Sequence, residues 1–382
     1  MGNGGVLYGT TVGGGASGYG TVFSMTPPAA PGGAWTENVL YNFTGGNDGK
    51  NPLYSGVAIG SGGVLYGTTD DGGYDSRGVV FSLTPPASLG EPWTEQVLHT
   101  FTGGVTHSID GSNPYAGVVI GKGGRLYGTT AGGGPRGNGT VFELVPPLSP
   151  GGPWEERVIH SFAGGATDGE GPQADLVVGD GGELYGTTSY GGPGGCEYGC
   201  GTIFALHPPA SPGGAWSEET LYTFAQVGTG ALPNAPLVIG RGGVLYGTTY
   251  GYSDLDLGTV FSLTPPGATG GTWSYSVLHS FSGGTDGASP LAGVVIGPAG
   301  ALYGTTEYGG TRGIKGTGTV YSVTPPSAPG GAWTERVLYR FGTPGYGGYP
   351  YGGVVLGSSA ILYGTTNNGG EMGFGTAFSF KP

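Results

Sequence analysis

Seven acids stand in glycine-rich segments of the kind that form loops: Asp70, Asp71, Asp75, Asp254, Asp256, Glu307 and Glu371. Glycoside hydrolysis needs two carboxyls about 5–9.5 Å apart across a sugar. An enzymatic reading therefore puts Asp254, Asp256 and Glu307 forward as the acids. Asp254 and Asp256 are also the nearest approach to a cation pair, because calcium takes oxygen ligands from loops. No segment carries the alternating acidic run of a dedicated calcium loop, and no cofactor other than Ca²⁺ is suggested by the sequence. Tyrosines accompany the acids: Tyr74 with Asp75, Tyr190 and Tyr198, Tyr250 and Tyr252, and Tyr308, with Phe374 in the last such segment. Rings for stacking beside carboxyls for hydroxyls suit a glycan or another polymer.

The histidines point the other way. His99, His160 and His279 fall where Tyr41, Tyr222 and Tyr339 stand elsewhere in a repeating pattern, and His207 replaces a turn threonine. Only His107 lies in an irregular insertion, so a histidine-based catalytic centre is not expected. The two cysteines, Cys196 and Cys200, are four apart in one loop. A zinc site would need further ligands, so a local disulfide is expected, which fits an oxidising compartment.

These residues are set by a repeat. The string LYGTT occurs seven times, with its tyrosine at 8, 66, 127, 185, 246, 303 and 363, in steps of 57 to 61 residues. A constant period of this length signals a propeller or an array. One period reads as four short strands bounded by Gly and Pro clusters: a over Leu291–Gly297, b over Ala301–Thr306, c over Gly318–Thr324 and d over Trp333–Phe341. The expected fold is all-β, a β-propeller of four-stranded blades over residues 1–382 as one repeat domain. Seven blades are expected, the first without strand a and the last without strand d; six blades or an open array are the alternatives. Alternating strand direction puts the b–c and d–a loops on one face. The c–d turns are near-identical PP…GG units, whereas the b–c loops differ from copy to copy, and divergent loops on a rigid frame are where function resides. The candidate binding residues are thus Tyr74, Asp75, Tyr190, Tyr198, Tyr250, Tyr252, Tyr308 and Phe374. The six tryptophans, Trp35, Trp93, Trp154, Trp216, Trp273 and Trp333, share one repeat position and read as packing.

LYGTT, GTVFSLTPP (258–266), GGAWTE (330–335) and FTGG followed by DG and NP closely resemble the GloVer tandem repeat of bacterial surface proteins. The resemblance covers essentially the whole chain. It implies secretion or surface display and no settled activity. The blade layout is also similar to that of quinoprotein-type propellers, whose catalytic residues have no counterpart motif here.

Composition excludes several classes. Glycine makes up 91 of 382 residues and proline 30, which would break helices throughout. The net charge of −13, with no basic stripe, disfavours nucleic acid and anionic membrane surfaces. No apolar run approaches the roughly 18 residues of a membrane span, and the opening MGNGGVLYGT does not read as an export signal. The functional expectation is a secreted or cell-surface binding module for a glycan, an extracellular polymer or a protein partner. A structural or adhesive repeat, or a polysaccharide hydrolase or lyase, are the alternatives.

Overall fold

The computed structural model describes every residue except 31, 54–55, 89, 104–108, 150, 212, 226–229, 254–255, 269, 311–315, 329 and 343–346. Its described residues form seven antiparallel sheets of β-propeller blade type, and the helical segments among them are three-residue 3₁₀ turns. Five sheets are four-stranded and follow the order a-b-c-d; the first holds three strands and so does the last. In the third sheet, a is Val119–Ile120, b Leu126–Thr130, c Thr140–Val145 and d Glu155–Ser161. Contacts divide the chain into two compact units. One comprises Met1–Gly164, Glu170–Leu184 and Leu206–Glu218; the other comprises Gly165–Gly169, Tyr185–Ala205 and Glu219–Pro382.

Strands b, c and d match the spans read from the sequence to within a residue at each end. Strand a does not: in the sixth sheet it pairs only over Val295–Ile296, not from Leu291. The residues before it direct their polar groups elsewhere. The Ala292 carbonyl accepts the Thr248 hydroxyl of the preceding sheet at 3.0 Å.

Four of the five positions of LYGTT have a direct physical reason. The glycine faces the strand-c ring of its own sheet. A Cβ on Gly128 would lie 2.5 Å from Phe142 and one on Gly247 2.6 Å from Phe261, so no larger residue fits. The first threonine reaches the next sheet, as Thr68 does when it donates to the Ala116 carbonyl at 2.7 Å. The second closes the b–c loop: Thr306 Oγ1 donates to the Tyr308 carbonyl at 2.9 Å and accepts from the Thr319 amide at 3.1 Å. The tyrosine meets the tryptophan of the following sheet edge-on, Tyr66 to Trp154 at 6.0 Å and Tyr246 to Trp333 at 6.0 Å. These tryptophans are therefore inter-sheet packing residues. Beneath them, Phe101 meets Phe142 at 5.2 Å and Phe281 meets Tyr321 at 5.0 Å, in edge-to-face pairs that favour association.

At several junctions a polar contact completes the packing, and a β-bulge makes it possible. Residues four apart on a regular strand share a face. The c–d pairing shifts register between Val80 and Phe81, and again between Val141 and Phe142. This shift turns His99 to the opposite face of its strand from Glu95, and His160 from Glu156. The second and third sheets thus show a Glu to the sheet before them and a His to the sheet after them. At the second junction, His99 Nε2 stands 3.3 Å from Asp110 Oδ1, and one ligand atom from each of His99, Asp110 and Glu156 falls within 4.8 Å of the others. At the first, Tyr41 donates to Asp48 at 3.0 Å and Glu95 faces that Asp48. Where the chain reads AQVGTG after Phe224 and has no loop Asp, the glutamate is replaced by Tyr275, stacked on Tyr222 at 4.2 Å and 8°.

Candidate functional site

The b–c loops and the d–a loops are hydrogen-bonded to each other, which places them together at one end of their sheets. Lys50 pairs with Asp71, and Ala288 with Tyr308, each through a bridge between the two kinds of loop. In the second unit this end holds a cavity of about 300 Å³ lined by Tyr250, Gly251, Tyr252, Ser253, Asp256, Leu257, Ala288, Ser289 and Tyr308. Four of the lining residues are among those singled out from the sequence: Tyr250, Tyr252, Tyr308 and Asp256.

Glu307, directly after LYGTT in the sixth sheet, anchors two of the rings. Its side chain is only 5% exposed, and its Oε2 accepts the Tyr250 hydroxyl at 3.2 Å. Tyr308 is bonded to the same carboxyl, which raises the pKa of that phenol, with burial adding to the effect. Burial and then Glu307 push the Tyr250 hydroxyl up to about 12, so both phenols keep their protons at neutral pH. Two hydroxyls are thereby committed to one carboxyl, and the rings are held in place beside the cavity. Tyr349 packs edge-on to Tyr308 at 5.8 Å. Asp256, 5% exposed, receives the Gly258 amide on Oδ1 at 3.4 Å, while its Oδ2 is buried with no hydrogen-bond partner among the described residues.

The disulfide shapes the rim. Cys196 and Cys200 are joined, and both are buried. The bridge holds the loop so that the Glu197 amide donates to the Tyr252 hydroxyl at 3.1 Å. Tyr198 and Tyr190 pair edge-on in the same loop at 6.2 Å.

The remaining candidates lie apart. Tyr74 and Asp75 are exposed on a b–c loop of the first unit, and Phe374 is 90% exposed on the last loop, outside the cavity lining. Asp254 and His107 lie outside the described residues. With Asp254 undescribed, the Asp254–Asp256 calcium pair has only one described member. Among the described residues, the one group of three potential metal ligands is His99, Asp110 and Glu156. There the protein itself supplies donors to Asp110: the Thr102 amide and hydroxyl, each at 2.8 Å, and the Gly111 amide at 2.7 Å.

Two residues escaped the sequence reading. Ser289 is buried, bonds Tyr250 and takes φ 54°, in the repeat position where Asn51 and Asn113 also adopt positive φ. Its replacement of Asn was the available signal. Asp175 occupies a place where other repeats have Gly117 or Gly293. It lines a second cavity, about 340 Å³, against Val57–Ile59 and Val118–Ile120 in the first unit, and its carboxyl accepts the Gly117 amide at 2.6 Å. Burial pushes that carboxyl up to about 6 despite the hydrogen bond.

The profile of the Gloeobacter/Verrucomicrobia repeat matches residues 1–238 and 193–382, which together span the whole chain. The chain belongs to the Gloeobacter/Verrucomicrobia repeat family. No curated protein matches the sequence. Among solved structures, this repeat protein is similar to one from Bacteroides uniformis assigned as a 6-phosphogluconolactonase, at 17% identity over 98% of this chain and 94% of that one, with a TM-score of 0.57. It is also similar to the polysaccharide lyase Uly1, at 11% identity over 98% and 87% of the two chains, with a TM-score of 0.51. At these identities the likeness shows the fold. Among the described residues of the repeat protein, no helix is long and apolar enough to cross a membrane.

Proposed function

We propose that this repeat protein is an extracellular glycan-binding module and that its ligand enters the cavity of Tyr250, Tyr252, Tyr308 and Asp256. The observation that carries the reading is the immobilisation of Tyr250 and Tyr308 by one buried carboxyl, Glu307. Rings fixed before binding lose little conformational freedom when a sugar stacks on them. The cavity of about 300 Å³ is at the lower end of ordinary ligand sites and suits one or two sugar rings more than an extended chain. The neighbouring lyase is by its name active on a polysaccharide, which supports a carbohydrate role on this frame. The disulfide supports an oxidising location outside the cell.

Binding is favoured over turnover because Glu307 is occupied by two phenols and shielded behind them. A glycan array should show retained oligosaccharides, and Tyr250→Ala should weaken that binding at least tenfold, a loss of about 1.4 kcal/mol. Hydrolysis or elimination across a polysaccharide panel, abolished by Glu307→Gln, would instead establish an enzyme. An array without signal, with self-association in light scattering, would favour a structural repeat.

A further inference from the structure

We infer that the cavity selects sugars bearing a free amino group over neutral and acidic ones; this deepens, and rests on, its assignment as a glycan site. Three observations converge. First, the tyrosine hydroxyls of Tyr250 and Tyr308 point to Glu307 and are engaged there, so the rings are what these residues can offer a ligand. A phenol that donates to a carboxyl is electron-rich, and an electron-rich ring face attracts a cation. Second, Asp256 contributes an acid to the wall, and its Oδ2 has no donor among the described residues. Third, no Lys or Arg is among the described residues that line the cavity.

Carboxyls set in low-dielectric walls focus a negative potential into a concavity. An ammonium group entering it gains attraction from Asp256 and Glu307 and from the ring faces. A uronate or sialate carboxylate meets repulsion from the same groups, with no Lys or Arg among the described lining residues to offset it. A neutral hexose is indifferent to the field and keeps only stacking and hydrogen bonds. The predicted order of affinity is therefore glucosamine oligomer, then neutral or N-acetylated oligomer, then uronate oligomer.

Isothermal titration of the full chain with glucosamine hexamer, N-acetylglucosamine hexamer and galacturonate hexamer tests the order. The glucosamine hexamer is expected to bind at least tenfold tighter than its acetylated counterpart, with the gap narrowing as salt rises. Asp256→Asn, and separately Glu307→Gln, should shrink the preference while near-ultraviolet circular dichroism reports an unchanged fold. Using both guards against one variant failing to fold. Equal binding of the amino and acetylated hexamers, lost in Tyr250→Ala, would overturn the selectivity and leave the glycan site standing. Tighter binding of the uronate would overturn it as well. Binding of none of the three, together with silence on the glycan array, would remove both claims. Saturation by calcium chloride alone, with loss of oligosaccharide binding, would assign the acids to a metal and overturn the inference.

Discussion

Acidifying the solution from pH 8 to pH 5 is expected to stabilise the fold, raising its thermal midpoint by a few degrees. The cause lies in the junctions between sheets. Burial, with Asp48 opposite, pushes the Glu95 carboxyl up to about 7. Burial also pushes Glu156 up to about 7, where the lowering effect of His99 and the raising effect of Asp110 oppose each other. Glu335 is raised in the same direction, by burial first, with His279 and Asp286 acting oppositely. The outer oxygens Glu95 Oε1, Glu156 Oε1 and Glu335 Oε1 are buried without a hydrogen-bond partner among the described residues, so ionising these groups is costly. In each case the folded pKa exceeds the unfolded one. The folded chain then holds more protons, and its advantage is complete below the ordinary carboxyl range and lost as pH rises through about 7. Because these side chains are only partly buried, Glu95 and Glu156 each contribute about 1–2 kcal/mol after allowance for solvent screening.

Strong acid should reverse the trend. Asp286 is held down to about 2: burial alone would raise it, but His279, whose Nε2 stands 3.5 Å away, and hydrogen bonds from the Ser282 amide and hydroxyl outweigh that. Asp110 is lowered on the same balance, through His99 and Thr102. Their contribution is present above the ordinary carboxyl range and disappears as pH falls through their folded values. Calorimetry across pH should therefore give a maximum between about pH 4.5 and 5.5. The double variant Glu95→Gln/Glu156→Gln should flatten the neutral side and leave the acid side in place. A midpoint that climbs steadily from pH 5 to pH 8 would contradict the junction account.

The second large effect is expected at a residue with no side chain. Gly128→Ala should cost about 3 kcal/mol or more, read as a lowered midpoint in urea unfolding. Gly128 does not take a left-handed φ, so alanine would meet no backbone strain there. The added methyl would fall 2.5 Å from the ring of Phe142, which is fully buried and pressed against Phe101. Gly123→Ala separates the two effects. Its φ of 76° strains alanine, yet nothing stands within 4 Å of its Cβ, and about 1 kcal/mol is expected. Adding Phe142→Leu to Gly128→Ala should cost less than the two single losses combined, because the smaller side chain frees the space the methyl needs. Strict additivity would show that the ring is not what excludes the methyl.

How much of this could be read from the residues follows from what each depends on. Strands b, c and d carry their own alternation and bounding turns, so Leu302–Thr306, Thr319–Thr324 and Thr334–Arg340 were legible almost to the residue. Strand a was overestimated because its first residues satisfy a neighbouring sheet, as Ala292 does for Thr248. Periodicity along a single strand cannot show that. The bulge that parts His99 from Glu95 was hidden for a similar reason, since it exists only in the pairing with Val80 and Phe81. In the cavity, Tyr250, Tyr252 and Tyr308 stood out because their loops break the repeat. Ser289 and Tyr349 come from d–a loops, and their proximity depends on the seating of one loop against another. Asp175 was visible as a carboxyl in a glycine position, but its value as a signal required knowing that the position borders a cavity.

The most direct measurement is a crystal structure of the full chain soaked with an oligosaccharide retained on the glycan array. The account predicts a sugar ring seated between Tyr250 and Tyr308 in the second-unit cavity, with the Tyr250–Glu307 hydrogen bond preserved. A sugar bound on the c–d turns, or in the cavity beside Asp175 with the tyrosine cavity empty, would contradict it.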